Sequence, residues 1–339
     1  MNRNCIMEDR RLCVLAELPR VIGLNHFAPR IARGELSPEL ELHRPNELSL
    51  PTPTPVTKTR PPMIRQRYRL KHKIGDALYG SVCACEDTHN DNELVAIKQV
   101  SLELATTLLA VHPNTDNPWH ERRTITKLLT LPPHPNIVHF RQEFLHNESW
   151  FVVMEHCPEG DLWDRVRGSP NGRVPEREAL RLCRQVTLGL HFLHSNGIAH
   201  RDVSLENVLL RGGVCKLSDF GLATDAERMC AEVVGKANYM APEVVAGEAY
   251  APVAADMWSL GIVLFIMLTG SPLVSRASEK ENDFVTFLQL GVRRVIRLWD
   301  MSSFISEDAC SLVSALLRRD PARRPSTYAV LTHPLLNQL

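Results

Sequence analysis

The chain has 339 residues, which is enough for a two-lobed domain plus an extension, and its hydrophobic content of 44% is ordinary for a globular protein. Lysine and arginine together number 39, and aspartate and glutamate also number 39. Because there is no basic excess, the composition gives no support to nucleic acid or an anionic membrane as a partner.

The cysteines and the chain start predict an intracellular protein, cytoplasmic or nuclear. None of the nine cysteines stands in a Cys-x-x-Cys pair, and Cys83 and Cys85 are too close together for an ordinary zinc site. Reduced core thiols are therefore expected. The polar start at residues 1–4 lacks the apolar core of a secretion signal, and the most apolar run, 257–268, predicts a buried helix.

Residues 1–66 differ in character from the rest of the chain. Prolines alternate with threonine and basic residues over 51–62, a pattern that disfavours helix and central strand and favours an extended tether. The more apolar stretch 11–24 could form a short helix that serves in docking. We therefore predict a Pro-rich, largely disordered N-terminal arm.

Short apolar alternations begin at Tyr68 and predict an antiparallel sheet. The residues 87–92 have the polar composition of a connection between two strands. The predicted strands cover residues 70–74, 82–85, 94–100, 137–144 and 150–154.

The periodicity becomes helical after residue 158. Apolar residues recur at steps of three and four between Leu180 and Leu193, with Pro175 suited to the helix start and Gly197 to its end. Strand-rich sequence followed by helix-rich sequence predicts an α+β fold: a small sheet lobe over 67–157, a larger, mainly helical lobe over 158–339, and a cleft between them.

Motifs with catalytic chemistry follow one another in a fixed order. They are Ile74-Gly75-Asp76-Ala77-Leu78-Tyr79-Gly80-Ser81-Val82, Val95-Ala96-Ile97-Lys98, His200-Arg201-Asp202 with Asn207, Asp219-Phe220-Gly221, Ala241-Pro242-Glu243, Asp256 to Gly261 and Asp320 to Pro325. This ordered set resembles the eukaryotic protein kinases over about residues 68 to 336. The loop after Asp202 lacks the arginine of tyrosine kinases, so the resemblance is to the serine/threonine type.

The resemblance implies that Lys98 contacts the α- and β-phosphates of ATP and is held by a glutamate. The family spacing puts Thr124 at the glutamate position, while Glu121 lies one turn earlier on the same helix face. Either Pro132-Pro133 reflects a longer connection and Glu121 pairs with Lys98, or the ion pair is missing; the chemistry favours Glu121. The stretch 105–119 is longer than usual and could be an insertion under the control of a regulatory partner.

The resemblance also implies an ATP site between the lobes. In the glycine-rich turn, Ala77 replaces the second of the three family glycines, which give the backbone close access to phosphates. Backbone groups of Glu155 and Cys157 would bind adenine, and apolar side chains would enclose the ring. The implied ATP-binding set is Ile74, Gly75, Gly80, Val82, Ala96, Lys98, Met154, Glu155, Cys157, Asp161 and Leu209.

The family assigns the chemistry itself to the catalytic loop and the Asp-Phe-Gly motif. Asp202 would orient the attacking hydroxyl and accept its proton, and Asn207 and Asp219 would supply oxygen ligands to Mg²⁺. The resemblance also implies scaffold contacts, namely a buried pair between Glu243 and Arg324 and a brace of the catalytic loop at Asp256.

The chain departs from the family two residues after the catalytic acid. Ser204 replaces the lysine that steadies the transferring phosphate, and Lys236 replaces the threonine that normally contacts that lysine. Because a charge is lost at one position and gained at its expected neighbour, we predict that Lys236 takes over the catalytic role beside Asp202. The alternative is that Ser204 reflects a loss of catalytic activity and that Lys236 is simply an exposed lysine.

The activation segment predicts control without phosphorylation of its middle part. Its only hydroxyls between Phe220 and Ala241 are those of Thr224 and Tyr239. Glu227 or Glu232 could instead provide a permanent negative partner for Arg201, the arginine before the catalytic acid.

Three classes of function follow from these residues. The first is an active protein kinase that transfers the γ-phosphate of ATP to serine or threonine of a protein substrate. The second is a pseudokinase that acts as a binding or scaffold module, favoured by Ala77, Thr124 and Ser204. The third, a small-molecule phosphotransferase, is disfavoured by Ala241-Pro242-Glu243, which belongs to a platform for protein substrates in the family.

Overall fold

The computed structural model of the protein describes residues 63–112 and 115–338. The predicted N-terminal arm up to residue 62, with its helix at 11–24, lies outside the described residues.

The first lobe is built on an antiparallel sheet of six strands. It begins at Met63, before the predicted boundary at residue 67, because a short strand pairs with Arg69 and Tyr68. The strands are β1 (Met63–Ile64), β2 (Tyr68–Ala77), β3 (Gly80–Asp87), β4 (Glu93–Ser101), β5 (Phe140–His146) and β6 (Ser149–Glu155). Their order in the sheet is β1-β2-β3-β4-β6-β5. The predicted strand at 137–144 is wrong at its start, since Ile137 forms an isolated parallel bridge with Leu217.

The alternation of side chains in β4 separates the lobe's core from its cleft. Val95 and Ile97 are buried in a cluster with Phe144, Phe151 and other apolar residues on one face of the sheet. Ala96, Lys98 and Val100, which lie between and beyond them, line the cleft on the other face. Because successive side chains of a strand alternate between the two faces of the sheet, the Lys98 side chain lies on the cleft side.

Two helices connect β4 to β5, α1 (Leu102–Val111) and α2 (Pro118–Thr130). Ser101 caps α1 by accepting from the backbone N–H of Leu104 at 3.2 Å. Asn117 caps α2 in the same way, and Pro118 suits the first turn, so α2 starts well before the predicted helix at 124–131. The long stretch 105–119 therefore contains most of an additional helix as well as the start of α2.

The second lobe is mainly helical and packs around two long buried helices, Glu176–Ser195 and Pro252–Thr269. Its helices are α3 (Leu162–Arg167), α4 (Glu176–Ser195), α5 (Pro242–Ala246), α6 (Pro252–Thr269), α7 (Asn282–Leu298), α8 (Glu307–Leu316), α9 (Thr327–Leu331) and α10 (Pro334–Asn337). Helix α6 is long and apolar enough to cross a membrane by length and composition, but nearly all of it is buried inside the protein.

Short strands in the second lobe carry the catalytic loops toward the cleft. Strands β8 (Val208–Arg211) and β9 (Val214–Leu217) form a hairpin, and β7 (Ile198–Ala199) pairs with β10 (Thr224–Asp225). The catalytic loop runs from β7 to β8, and the Asp-Phe-Gly motif lies between β9 and β10. Both loops therefore emerge beside the sheet lobe.

Candidate active site

A cleft with a volume of about 530 Å³ separates the sheet lobe from the helical lobe. It contains most of the residues predicted to hold ATP and its metal. These lining residues are Ile74, Val82, Ala96, Lys98, Glu121, Met154, Glu155, Cys157, Asp161, Asn207, Leu209 and Asp219. Gly75, Gly80, Asp202 and Lys236 are not among the lining residues; Asp202 and Lys236 line a smaller adjacent cavity.

Lys98 stands at the centre of the charged end of the cleft. Its Nζ lies 2.6 Å from Oε1 of Glu121 and 3.5 Å from Oδ1 of Asp219. Burial alone would lower the pKa of Lys98, but the carboxylates of Asp219 and Glu121 outweigh it and raise that pKa, so the ammonium is charged. Thr124, one turn further along α2, is not among the residues that line the cleft and instead lines a separate groove with Lys127 and Gly197.

The catalytic loop turns sharply before Asp202. Arg201 has a φ of +63°, an uncommon conformation for a residue with a side chain. The carboxylate of Asp256 holds this turn by accepting from the backbone N–H of His200 at 2.9 Å and of Arg201 at 2.7 Å. The strained backbone is thus fixed by a buried acid, which sets the direction of the Asp202 side chain.

Asn207 fixes the other side of Asp202. Its amide Nδ2 donates to Oδ2 of Asp202 at 2.6 Å and to the carbonyl oxygen of the same residue at 2.9 Å. The second carboxylate oxygen of Asp202 is buried and has no hydrogen-bond partner among the described residues. Burial raises the pKa of this carboxyl, and the charge of Lys236 opposes that rise.

The donor set near Asn207 and Asp219 fits a magnesium ion. The amide nitrogen of Asn207 is used by Asp202, which leaves the amide oxygen as its remaining ligand atom. The charge of Lys98 lowers the pKa of Asp219, so this carboxylate is ionised. An amide oxygen and an ionised carboxylate are ligands that Mg²⁺ prefers.

The substituted pair of residues is in direct contact. The ammonium of Lys236 donates to the hydroxyl of Ser204 at 2.7 Å and lies 3.2 Å from Oε2 of Glu206. Ser204 is fully buried, whereas about a third of the Lys236 side chain is exposed. The contact with Glu206 was not predicted from the sequence, which offered no spacing rule to link the two positions.

Arg201 has a carboxylate partner in the activation segment. Its Nη1 lies 3.2 Å from Oε2 of Glu232, and its Nε donates to the carbonyl oxygen of Leu222 at 2.7 Å. Of the two acids predicted as partners, Glu232 makes the contact, and no hydrogen bond or ion pair joins Glu227 to Arg201 in the part of the chain that the structure describes.

Two acids of the implied ATP-binding set, Glu155 and Asp161, have structural roles. The Glu155 carboxylate accepts from the backbone N–H of His139 at 2.8 Å and lies 2.9 Å from Nζ of Lys216. Asp161 caps α3 by accepting from the N–H of Asp164 at 2.8 Å. The contact of Asp161 with ATP that the resemblance implies would therefore compete with helix capping.

Sequence reasoning missed Tyr79 and Asp116. Asp116 lies in the connection between α1 and α2 and lines the cleft between the lobes. Burial together with the charge of Asp219 raises the pKa of its carboxyl to about 7. The Tyr79 hydroxyl donates to the carbonyl oxygen of Asp116. Tyr79 belongs to the glycine-rich motif, but nothing in that motif indicates a contact with Asp116, which lies in the long connection to which no structure was predicted.

Fold and site together define a bilobal kinase-like protein, and comparison with known proteins gives the family. Residues 68–336 match the protein kinase domain, so the chain belongs to the protein kinase family. It is 33% identical over 290 residues to calcium-dependent protein kinase 12 of Oryza sativa subsp. japonica. The aligned region covers 84% of this chain and 51% of that protein.

Other relatives carry the name serine/threonine kinase. The chain is 31% identical over 280 residues to serine/threonine-protein kinase chk1 of Schizosaccharomyces pombe, covering 79% of this chain and 53% of the relative. It is 34% identical over 233 residues to the probable serine/threonine-protein kinase KCC4 of Saccharomyces cerevisiae, covering 67% and 22%. The chain thus spans about half the length, or less, of these curated relatives.

Proposed function

We propose that the protein is an ATP- and magnesium-dependent serine/threonine protein kinase. The observation that carries the proposal is the contact of Lys98 with both Glu121 and Asp219 beside the Asp202–Asn207 pair. These groups form one site although they come from both lobes. Such a site has the parts needed to hold nucleotide phosphates and to align a hydroxyl.

In the proposed reaction, Lys98 contacts the α- and β-phosphates while backbone groups of Glu155 and Cys157 hold adenine. Asp202, whose unpartnered oxygen is available, orients the substrate hydroxyl and accepts its proton. Lys236 places its charge beside Asp202, where the transferring phosphoryl group passes. The contact of Lys236 with Ser204 supports this placement.

Magnesium would be held by Asn207 and Asp219. When bound, it would neutralise negative charge on the phosphates. The Asp219 backbone, with a φ of +58°, turns this carboxylate toward Lys98, at the charged end of the cleft.

The test is phosphate transfer from labelled ATP with Mg²⁺ to an array of degenerate peptides. We expect transfer to serine or threonine, and none from Asp202→Asn protein of unchanged thermal stability. Transfer to tyrosine would contradict the proposed substrate class. A protein that binds ATP but transfers no phosphate would support the alternative, a scaffold module. The specific observation that favours this alternative is Ser204 in place of the family lysine.

The ion pair of Arg201 leads us to propose that the activation segment is ordered without phosphorylation. We expect phosphatase treatment to leave the activity unchanged and Glu232→Gln to lower kcat several-fold. The loss should be partial because the Glu232 side chain is 33% exposed and also pairs with Arg228. Glu227→Gln is the matched control and should behave as the unaltered protein. Loss of activity on dephosphorylation would contradict this form of control.

We further propose an intracellular location, cytoplasmic or nuclear, supported by free thiols at all seven cysteines among the described residues.

We also propose that the two lobes divide at residue 157 and that residues 105–119 or the arm bind a regulatory partner. The exposed side chains of Leu104, Val111 and Trp119 lie in or beside that stretch and support a contact surface there.

A further inference from the structure

The connection between α1 and α2 reaches the Asp-Phe-Gly motif at Asp116. A Cβ atom on Gly221 would stand only 2.9 Å from Cγ of Asp116, so the two residues are packed as closely as a glycine allows. The backbone N–H of Asn117 donates to the carbonyl oxygen of Gly221 at 3.2 Å. This connection is therefore fastened to the loop that carries Asp219.

The glycine-rich turn contacts the same connection through Tyr79. Its hydroxyl donates to the carbonyl oxygen of Asp116 and lies 3.2 Å from Oγ1 of Thr115. Tyr79 is 4% exposed, whereas its neighbour Leu78 is 45% exposed, so the tyrosine side chain is turned into the protein. The backbone of Tyr79 is also held, because its carbonyl oxygen accepts from the N–H of Ser101 at 2.8 Å.

We propose that Tyr79 is a positioning residue that holds the glycine-rich turn at the phosphate end of the cleft through its bond to Asp116. The Tyr79–Asp116–Gly221 contact joins three separate segments, namely the turn, the α1–α2 connection and the Asp-Phe-Gly loop. This proposal rests on the proposed function only because it takes ATP as the ligand.

The two ends of the turn are held unequally. Gly80 pairs with Val100 in the sheet and leaves no room for a Cβ against Gln99, whereas Gly75 has open space beside it. A Cβ on Gly75 would meet no atom within 4 Å, so the first part of the turn packs against nothing on that side. A turn that must be ordered when ATP arrives reduces the affinity by the entropy of ordering. A turn that is already held by Tyr79 avoids that cost, so the hydroxyl should increase nucleotide affinity without touching the nucleotide.

The test compares the unaltered protein with Tyr79→Phe, which removes the hydroxyl and keeps the buried ring. We expect the Kd for a non-hydrolysable ATP analogue with Mg²⁺ to rise about 2- to 10-fold, the range for one lost hydrogen bond. Amide hydrogen exchange over residues 75–80 should become faster. Tyr328→Phe, at a tyrosine that is 66% exposed, is the matched control and should change neither quantity.

Each other outcome overturns the proposal. An unchanged Kd means that the hydroxyl is merely structural, whatever the exchange shows. A weaker Kd without faster exchange means that Tyr79 acts on the nucleotide directly. Because these readouts need no phosphate transfer, the proposal can be tested even if the protein proves to be inactive, and a failure of one proposal does not imply a failure of the other.

Discussion

Replacing Lys236 by threonine is expected to lower kcat by at least about 100-fold, the loss typical of removing one preorganised group that stabilises transition-state charge. The ammonium is anchored by Ser204 at 2.7 Å and by Glu206 at 3.2 Å, and it is near enough to Asp202 for its charge to oppose the rise in the pKa of that carboxyl. Because Lys236 is not among the residues that line the nucleotide cleft, ATP affinity should stay nearly unchanged. Steady-state kinetics together with a separate ATP-binding measurement would separate the two effects.

Two further variants show whether the charge itself is responsible. Ser204→Lys combined with Lys236→Thr restores the family arrangement and should recover much of the lost turnover. Lys280→Thr removes an exposed lysine elsewhere in the second lobe and should have no effect. If Lys236→Thr keeps its turnover, the hypothesis that Lys236 takes over the role of the missing lysine is wrong. The loss of the lysine at position 204 would then have no compensation from Lys236.

The fold could be predicted in large part because its periodic elements obey local rules. The apolar steps between Leu180 and Leu193 correspond to the buried face of α4, and Pro175 immediately precedes that helix. The strand start at Ile137 was misplaced because the apolar residues Ile137 and Val138 look the same in sequence whether they join a sheet or make one bridge to Leu217.

The candidate site was less predictable wherever a contact depends on a connection of unusual length. Thr124 and Glu121 could not be separated by spacing, since the number of residues between α2 and β5 was the unknown quantity. Only the placement of α2 on the sheet shows that Glu121 faces Lys98. The contact of Tyr79 with Asp116 depends on the same insertion, which carries no periodic pattern that local rules could read.

Arg324→Ala is expected to lower the free energy of unfolding by about 3 to 5 kcal/mol, because it leaves a buried carboxylate unpaired. Arg324 and Glu243 are joined by two bonds of 2.6 and 2.7 Å, and their side chains are 1% and 8% exposed. The guanidinium also lies 5.2 Å from the ring centroid of Trp258. Urea unfolding would measure the loss, with Arg323→Ala, at the exposed neighbouring arginine, as the matched control.

The charge pair and the arginine's other bonds can be separated by a double variant. Arg324 also donates to the carbonyl oxygens of Arg318 and Ala254, each at 2.9 Å. If the loss comes from the stranded carboxylate, Glu243→Met combined with Arg324→Met should recover most of the stability, since an apolar pair of similar volume leaves no buried charge. If the double variant is as unstable as Arg324→Ala, the carbonyl bonds are the main contribution. Because Glu243 lies in the first turn of α5, directly after the activation segment, either cause would also loosen the backbone that carries Lys236.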